Sequence, residues 1–188
     1  MKRFLTLALA LIALFSVAYA QKNNLGGRRQ MVGIAFYNLE NLFDTIPNNP
    51  ENRDLEYTPG GQKQWDTRKY NNKLRNLAYA ISQFTTPGTP MGPAIIGVSE
   101  IENRSVLDDL VAQPELKPWN LQVVHHDSPD ARGVDVGLLY NPRMFKFERV
   151  TNHRLTTIPF RTRDQMCVVG TIGGERIAVI VNHWPSRL

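Results

Sequence analysis

The chain has 188 residues, of which 42% are hydrophobic and 21% charged, with a formal net charge of +5. That is an ordinary globular composition, and it excludes a disordered or fibrous protein. The single cysteine, Cys167, excludes an intramolecular disulfide framework and a cysteine-rich zinc site.

The amino terminus carries Lys2-Arg3, an apolar run from Phe4 to Ala18 broken by Thr6 and Ser16, and then Ala18-Tyr19-Ala20. Charged start, apolar centre and small-residue ending occur in the order of a cleaved secretory signal peptide, expected over residues 1–20. About 15 apolar residues fall short of the ~20 that a helix needs to cross a bilayer. The expectation is therefore export to the periplasm or the extracellular space, with no stable membrane insertion after cleavage. Residues 21–30 are polar with a Gly26-Gly27 pair, a composition that predicts a short disordered lead.

Met31 to Tyr37 is a short, nearly unbroken apolar run that predicts a strand buried on both faces, with Asn38 directly after it. Proline and glycine recur through residues 44–64, so a surface loop is expected there. Asp66 is placed to cap a helix whose stripe is Tyr70, Leu74, Leu77, Ile81 and Phe84, and Pro87-Gly88 ends it. Ala94 to Ser99 predicts a second buried strand ending at Glu100, and a second helix is expected over Arg104 to Val111. Strand, helix, strand, helix is the opening of an α/β domain.

The later half reads as strands separated by turns: Leu121 to Val124, Val134 to Tyr140, Met166 to Ile172 and Arg176 to Val181. A β-meander is the expectation, with Gly173-Gly174 turning a hairpin between the last two strands. Three apolar runs thus end at a group able to bind a metal or a phosphate: Asn38, Glu100 and His183. Polar groups at the ends of buried strands form a site at one rim of a sheet. Asn38 and Glu100 offer only oxygen, which suits Mg²⁺, Mn²⁺ or Ca²⁺ better than zinc or copper. Arg132, in the turn Asp130-Ala131-Arg132-Gly133, has the donor fork that binds phosphate oxygens. The run His125-His126-Asp127 is not expected to share an ion, because consecutive histidines on a strand face opposite ways. Asp135 is expected to pair with an arginine, and Asp44 and Glu102 to be structural.

Four motifs give the chain a resemblance to a known family. They are Tyr37-Asn38-Leu39-Glu40-Asn41-Leu42-Phe43-Asp44, Gly97-Val98-Ser99-Glu100-Ile101-Glu102-Asn103, Arg132-Gly133-Val134-Asp135-Val136-Gly137-Leu138-Leu139-Tyr140 and Val181-Asn182-His183-Trp184-Pro185-Ser186-Arg187. In order and spacing they resemble the endonuclease/exonuclease/phosphatase superfamily of DNase I-like, metal-dependent phosphoesterases. The resemblance implies the N-terminal half of a four-layered α/β/β/α sandwich over residues 31–188. It makes Glu100 the carboxylate ligand of a divalent ion, Asn38 its neighbour in the metal shell, His183 a contact to the scissile phosphate and Arg132 a phosphate clamp. The ion implied is Mg²⁺ or Mn²⁺, with Ca²⁺ as a third option. Members of the family continue to a Gly-Asp-x-Asn segment and a closing Asp-His pair that activate and orient water, so a truncated and inactive chain is expected from residues 1–188 alone.

Residues 132–188 hold nine basic and four acidic side chains, against eleven and thirteen in residues 21–131. A basic later half favours a polyanion such as nucleic acid over another phosphodiester substrate. The alternatives are a phospholipid or inositol-phosphate phosphoesterase, and an inactive secreted binding fragment.

Overall fold

The computed structural model describes residues 31–47, 49, 51, 54–157 and 159–184. The expected signal peptide and lead lie outside the described residues, as do Pro185, Ser186 and Arg187 of the last motif. Chain order is β1 (Ile34–Leu42), α1 (Thr67–Ser82), β2 (Ile95–Ile101), α2 (Arg104–Val111), β3 (Gln122–His125), β4 (Asp135–Tyr140), β5 (Lys146–His153), β6 (Gln165–Ile172) and β7 (Glu175–Val181).

Both helices form where local chemistry favours them. The Asp66 carboxylate accepts from the Lys69 N–H at 2.7 Å and Asn103 accepts from the Val106 N–H at 3.2 Å, each capping a first turn. Such caps contribute about 1 kcal/mol apiece. Tyr70, Leu74, Leu77 and Ile81 all lie buried on one side of α1, as their spacing predicts. The Tyr70 hydroxyl donates to Asp109 at 2.8 Å and so links α1 to α2.

The strands make two sheets. The first has the order β1-β2-β4-β3, with β1 and β2 parallel and the remaining pairs antiparallel; the second is antiparallel, β5-β6-β7. Leu39, Leu74, Ile81, Ile96 and Leu107 share the core between the helices and the first sheet. Ile95, Leu138, Phe145, Val168 and Val181 share the second core, between the sheets. Ile95 and Ile96 therefore feed opposite cores, the reason β2 is apolar at consecutive positions rather than alternating. Helices, first sheet and second sheet are stacked as α/β/β, in keeping with the α/β sandwich expected.

Four expectations need correction. β1 is not buried on both faces, because it lies at the edge of the first sheet and exposes Ile34 and Phe36. The later strands are not one meander, because β3 and β4 complete the first sheet while only β5 to β7 form the second. β5 was not anticipated: Lys146-Phe147-Glu148-Arg149-Val150-Thr151-Asn152-His153 is mostly exposed and carries little apolar signal. β1 and β2 also run further than their apolar stretches, so Asn38 and Glu100 sit inside strands and not just beyond them. The Gly173-Gly174 turn is as expected, with φ of 59° and 90° and β6 antiparallel to β7.

Candidate active site

The rim of the first sheet is irregular where the candidate residues stand. β1 and β2 pair as far as Asn38 opposite Ser99 and resume only at Leu42 opposite Ile101. On the other side of β2, Ser99 pairs with Val136 and Ile101 with Asp135, so Glu100 is the bulged residue against both neighbours. Its φ is 59°, and Glu40 and Asn41 across the bulge are at 53° and 58°. Left-handed backbone at a residue with a long side chain costs roughly 1–3 kcal/mol, a strain concentrated at functional sites. A bulge also re-aims its side chain, here out of the sheet and towards the rim.

Lys73 of α1 braces this bulge. Its ammonium donates to the carbonyl oxygens of Glu40 and Asn41, the latter at 3.4 Å, and lies 5.8 Å from the centre of the Trp65 ring. Burial draws the Lys73 pKa down while Glu40 and Glu100 oppose that shift. The Asn38 amide is fixed from its own strand, its Oδ1 accepting from the Glu40 N–H at 2.7 Å.

Arg132 and His183 reach the same carboxylate from separate elements. Glu100 Oε1 lies 3.4 Å from Arg132 Nη2 and 3.5 Å from His183 Nε2. His183 follows β7 of the second sheet, whereas Arg132 stands in the turn before β4, so the site straddles both sheets. The turn is held by Asp130, whose Oδ1 accepts from the Arg132 N–H at 2.9 Å. Asp130 Oδ2 in turn lies 3.4 Å from the buried Arg163 Nε, an ion pair that joins the Arg132 turn to the approach to β6. Burial lowers the His183 pKa, Arg163 lowers it further, and Glu100 works against both. The imidazole is thus neutral at neutral pH and able to donate one N–H.

The loop over 44–64 is partly structured, with a short 3-10 turn at Leu55–Tyr57. Tyr57 stacks on Phe43 at 4.1 Å between ring centres, and the Trp65 indole N–H donates to the Phe43 carbonyl at 2.9 Å. Burial raises the Tyr57 pKa, and both Arg132 and Glu100 act on its hydroxyl. Tyr57, Lys73, Asp130 and Arg163 escaped the sequence reading. None stands at a strand end, and only the Pro/Gly loop length and the Arg132 turn hinted at them.

The donor set suits a hard dication. Glu100 supplies a carboxylate and Asn38 an amide oxygen, while Ser99 Oγ and Asn182 Oδ1, adjacent in sequence to Glu100 and His183, are buried without a hydrogen-bond partner. Oxygen ligands in small number, with unmet oxygens nearby for ordered water, fit Mg²⁺, which usually keeps several waters. Glu100 and Asn38 are accordingly the groups that would hold it.

Other expectations resolve as follows. Glu102 accepts from the Asp44 N–H at 2.8 Å and Asn103 donates to Asp44 at 3.2 Å, which makes this trio a structural brace for the loop after β1. Among the described residues Asp135 makes no direct contact with an arginine side chain; its partners are His125 at 3.0 Å and Ser128. His125 and His126 do diverge, His126 lying 3.9 Å from Asp164. Trp184, next to His183, is 63% exposed.

Comparison with known proteins agrees with this architecture. The chain matches the Endonuclease/Exonuclease/phosphatase family over residues 33–188 and belongs to it. No curated protein matches the chain by sequence. Among solved structures, a humanized D. rerio TDP2 carrying 14 mutations is similar at 13% identity and a TM-score of 0.50, covering 83% of this chain and 48% of that one. D. rerio TDP2 in complex with a single-strand DNA product is similar at 13% identity and a TM-score of 0.45, covering 79% and 44%. The human Nocturnin catalytic domain with bound sulfate is similar at 23% identity and a TM-score of 0.37, covering 50% and 38%. The chain thus spans about half the length of the TDP2 structures it resembles, and its fold is a phosphoesterase fold.

Proposed function

We propose that the protein is an exported, divalent-metal-dependent phosphodiester hydrolase whose substrate is nucleic acid. The observation that carries the reading is the convergence on Glu100 Oε1 of Arg132 and His183, from separate motifs and from both sheets, within 3.4 and 3.5 Å. An anionic oxygen set between two nitrogen donors on a strained bulge is the arrangement a metal–phosphate pair would occupy.

In this reading Glu100 and Asn38 hold Mg²⁺ or Mn²⁺. The bound ion would polarise the phosphoryl group and offset charge that develops on its oxygens. His183 donates its Nε2–H to a non-bridging phosphoryl oxygen, a role that burial supports by keeping the ring neutral before substrate arrives. Arg132, half exposed, releases Glu100 and closes its guanidinium on the phosphate, while Asp130 and Arg163 keep its backbone in place. Activation of water is assigned to the Gly-Asp-x-Asn and Asp-His segments that the family resemblance implies.

The basic balance of residues 132–188 favours a nucleic-acid strand over a phospholipid or inositol phosphate. The test is hydrolysis of single-stranded DNA, RNA, phospholipid vesicles and inositol phosphate by the mature full-length protein, with Mg²⁺, Mn²⁺ or chelator. Nucleic-acid cleavage that needs the metal, falls steeply with salt and is lost in Glu100→Gln is expected. Preference for lipid or inositol phosphate, or cleavage indifferent to chelation, would overturn the assignment. Export is checked separately by intact mass: the mature form is expected to begin at Gln21, and retention of Met1 would contradict it.

A further inference from the structure

A second set of ligating groups stands behind the rim, on a cavity of about 340 Å³ lined in part by Glu102, Asn103, Asp127, Ser128 and Asp135. His125, the last residue of β3, has a side chain only 3% exposed and turns its two ring nitrogens to two carboxylates. Nε2 lies 3.0 Å from Asp135 Oδ2. The other oxygen of Asp135 accepts from the Ser128 N–H at 2.9 Å and from the Ser128 hydroxyl. Asp135 is therefore held on both oxygens, and a neutral His125 that donates to it does so from Nε2.

That tautomer leaves a lone pair on Nδ1, facing Asp127 Oδ1 across 3.8 Å. The gap is too long for a hydrogen bond and close to the span of two metal–ligand bonds of about 2.0–2.2 Å each. A lone pair on Nδ1 facing a carboxylate is favourable only with a cation, a proton or a metal ion, between them. A carboxylate holding the far N–H of a histidine is also the usual support for a metal-bound imidazole. A second observation on the same cavity points the same way. Glu102 is 7% exposed, its Oε2 accepts from the Asp44 N–H, and its buried Oε1 has no hydrogen-bond partner.

We propose that His125 Nδ1 and Asp127 bind a first-row transition-metal dication such as Zn²⁺, with Asp135 orienting the imidazole and Glu102 Oε1 hydrogen-bonded to water on the ion. Mixed nitrogen and oxygen donors separate this site from the all-oxygen pair Asn38 and Glu100, so the two select different metals. Asp135 pairs with Ile101, the residue after Glu100, which places the proposed ion beside the active-site rim without sharing a ligand with it. Bound there, the ion ties the end of β3 to the segment that leads into the Arg132 turn. The proposal does not depend on the phosphodiesterase reading.

The test is calorimetric Zn²⁺ titration of the full chain in excess Mg²⁺, read alongside the imidazole ¹⁵N signals. One Zn²⁺ that Mg²⁺ does not displace is expected, with the His125 Nδ1 signal moving on saturation. Asp127 is 87% exposed, so Asp127→Ala keeps the fold and should weaken that site roughly tenfold or more. His125→Gln should abolish it, while Glu100→Gln should leave it intact. Zn²⁺ affinity unchanged in Asp127→Ala, an unmoved His125 signal at saturation, or loss of Zn²⁺ binding only in Glu100→Gln would each overturn the proposal.

Discussion

In β2 only Glu100 escapes full burial, whereas no residue of β5 is fully buried and all but Asn152 are exposed. The two strands belong to sheets covered differently: helices and a second sheet enclose the first at β2, although Ile34 and Phe36 of its edge strand β1 are exposed, while the second presents its outer face to solvent. The consequence reaches the active site. The first sheet, covered on both faces at β2, carries Asn38 and Glu100 and can hold a strained bulge in place. The second, covered on one face, carries His183 just after β7.

The largest test of this contrast is stability. Ile96→Ala in β2 should cost about 2–5 kcal/mol, as deletions in a closed core do. Arg149→Ala in β5 should stay within about 0.5 kcal/mol. Denaturant midpoints for the two variants would measure the difference, and similar values would erase it.

Catalytic variants divide along the same line. In the mature full-length protein, His183→Ala should lower kcat about 10²–10³-fold with little effect on the metal titration. Glu100→Gln should move the metal titration itself to higher concentration. A metal midpoint shifted as much by His183→Ala would place the two residues in one ligand set and end the division of labour.

Glycines at the two sheets give a smaller effect. A Cβ on Gly137 of β4 would stand 2.8 Å from Leu107 Cδ1 and 3.1 Å from Ile101 Cδ1, both ends of flexible side chains. A Cβ on Gly170 of β6 would collide with the Lys146 carbonyl oxygen and the Phe145 ring. Gly170→Ala should therefore destabilise by about 1–3 kcal/mol and Gly137→Ala by less. Thermal melts that rank them the other way would show the second sheet to be the more yielding one.

The last test is in pH. Burial pushes the Glu102 carboxyl up to about 8 from an ordinary 4.5; the hydrogen bond from the Asp44 N–H opposes that rise, and the charges of Asp44 and Asp54 add to it. Between those values the folded state binds the extra proton, so this group favours folding at low pH and its contribution is lost as pH rises through the window. His183 has the opposite sign: its pKa is lowered in the fold, so acidification below the ordinary histidine value of 6.5 removes stability. In chelator, Glu102→Gln should flatten the decline towards pH 8 and His183→Gln the decline towards acid. Melting curves at stepped pH would detect either change.

Much of the first sheet was legible because its local signals agree with its tertiary setting. The α1 stripe, its Asp66 cap and the consecutive apolar residues of β2 all mean in the fold what they mean in the sequence. β5 was illegible because a strand exposed at nearly every position has no buried face to impose a period. Asn38, Glu100, Arg132 and His183 were legible as motif residues, and three of them meet as expected. What the sequence could not convey was the left-handed turn at Glu100, since glutamate carries no mark of that conformation. The Arg163–Asp130 pair was hidden for another reason: 33 residues separate its members, and only sheet packing brings them together.

On the proposed reading, the bulge at Glu100 would make metal affinity a reporter of folding. Its left-handed backbone exists only while β1 and β4 both pair with β2, so a chain that has lost either neighbour retains the glutamate but not the aim of its carboxylate. A dication captured at that position by the native state alone would raise the melting temperature with its concentration, contributing about 2.7 kcal/mol at a hundredfold excess over Kd. Divalent metal would then act as a ligand that reads whether the first sheet is closed around β2.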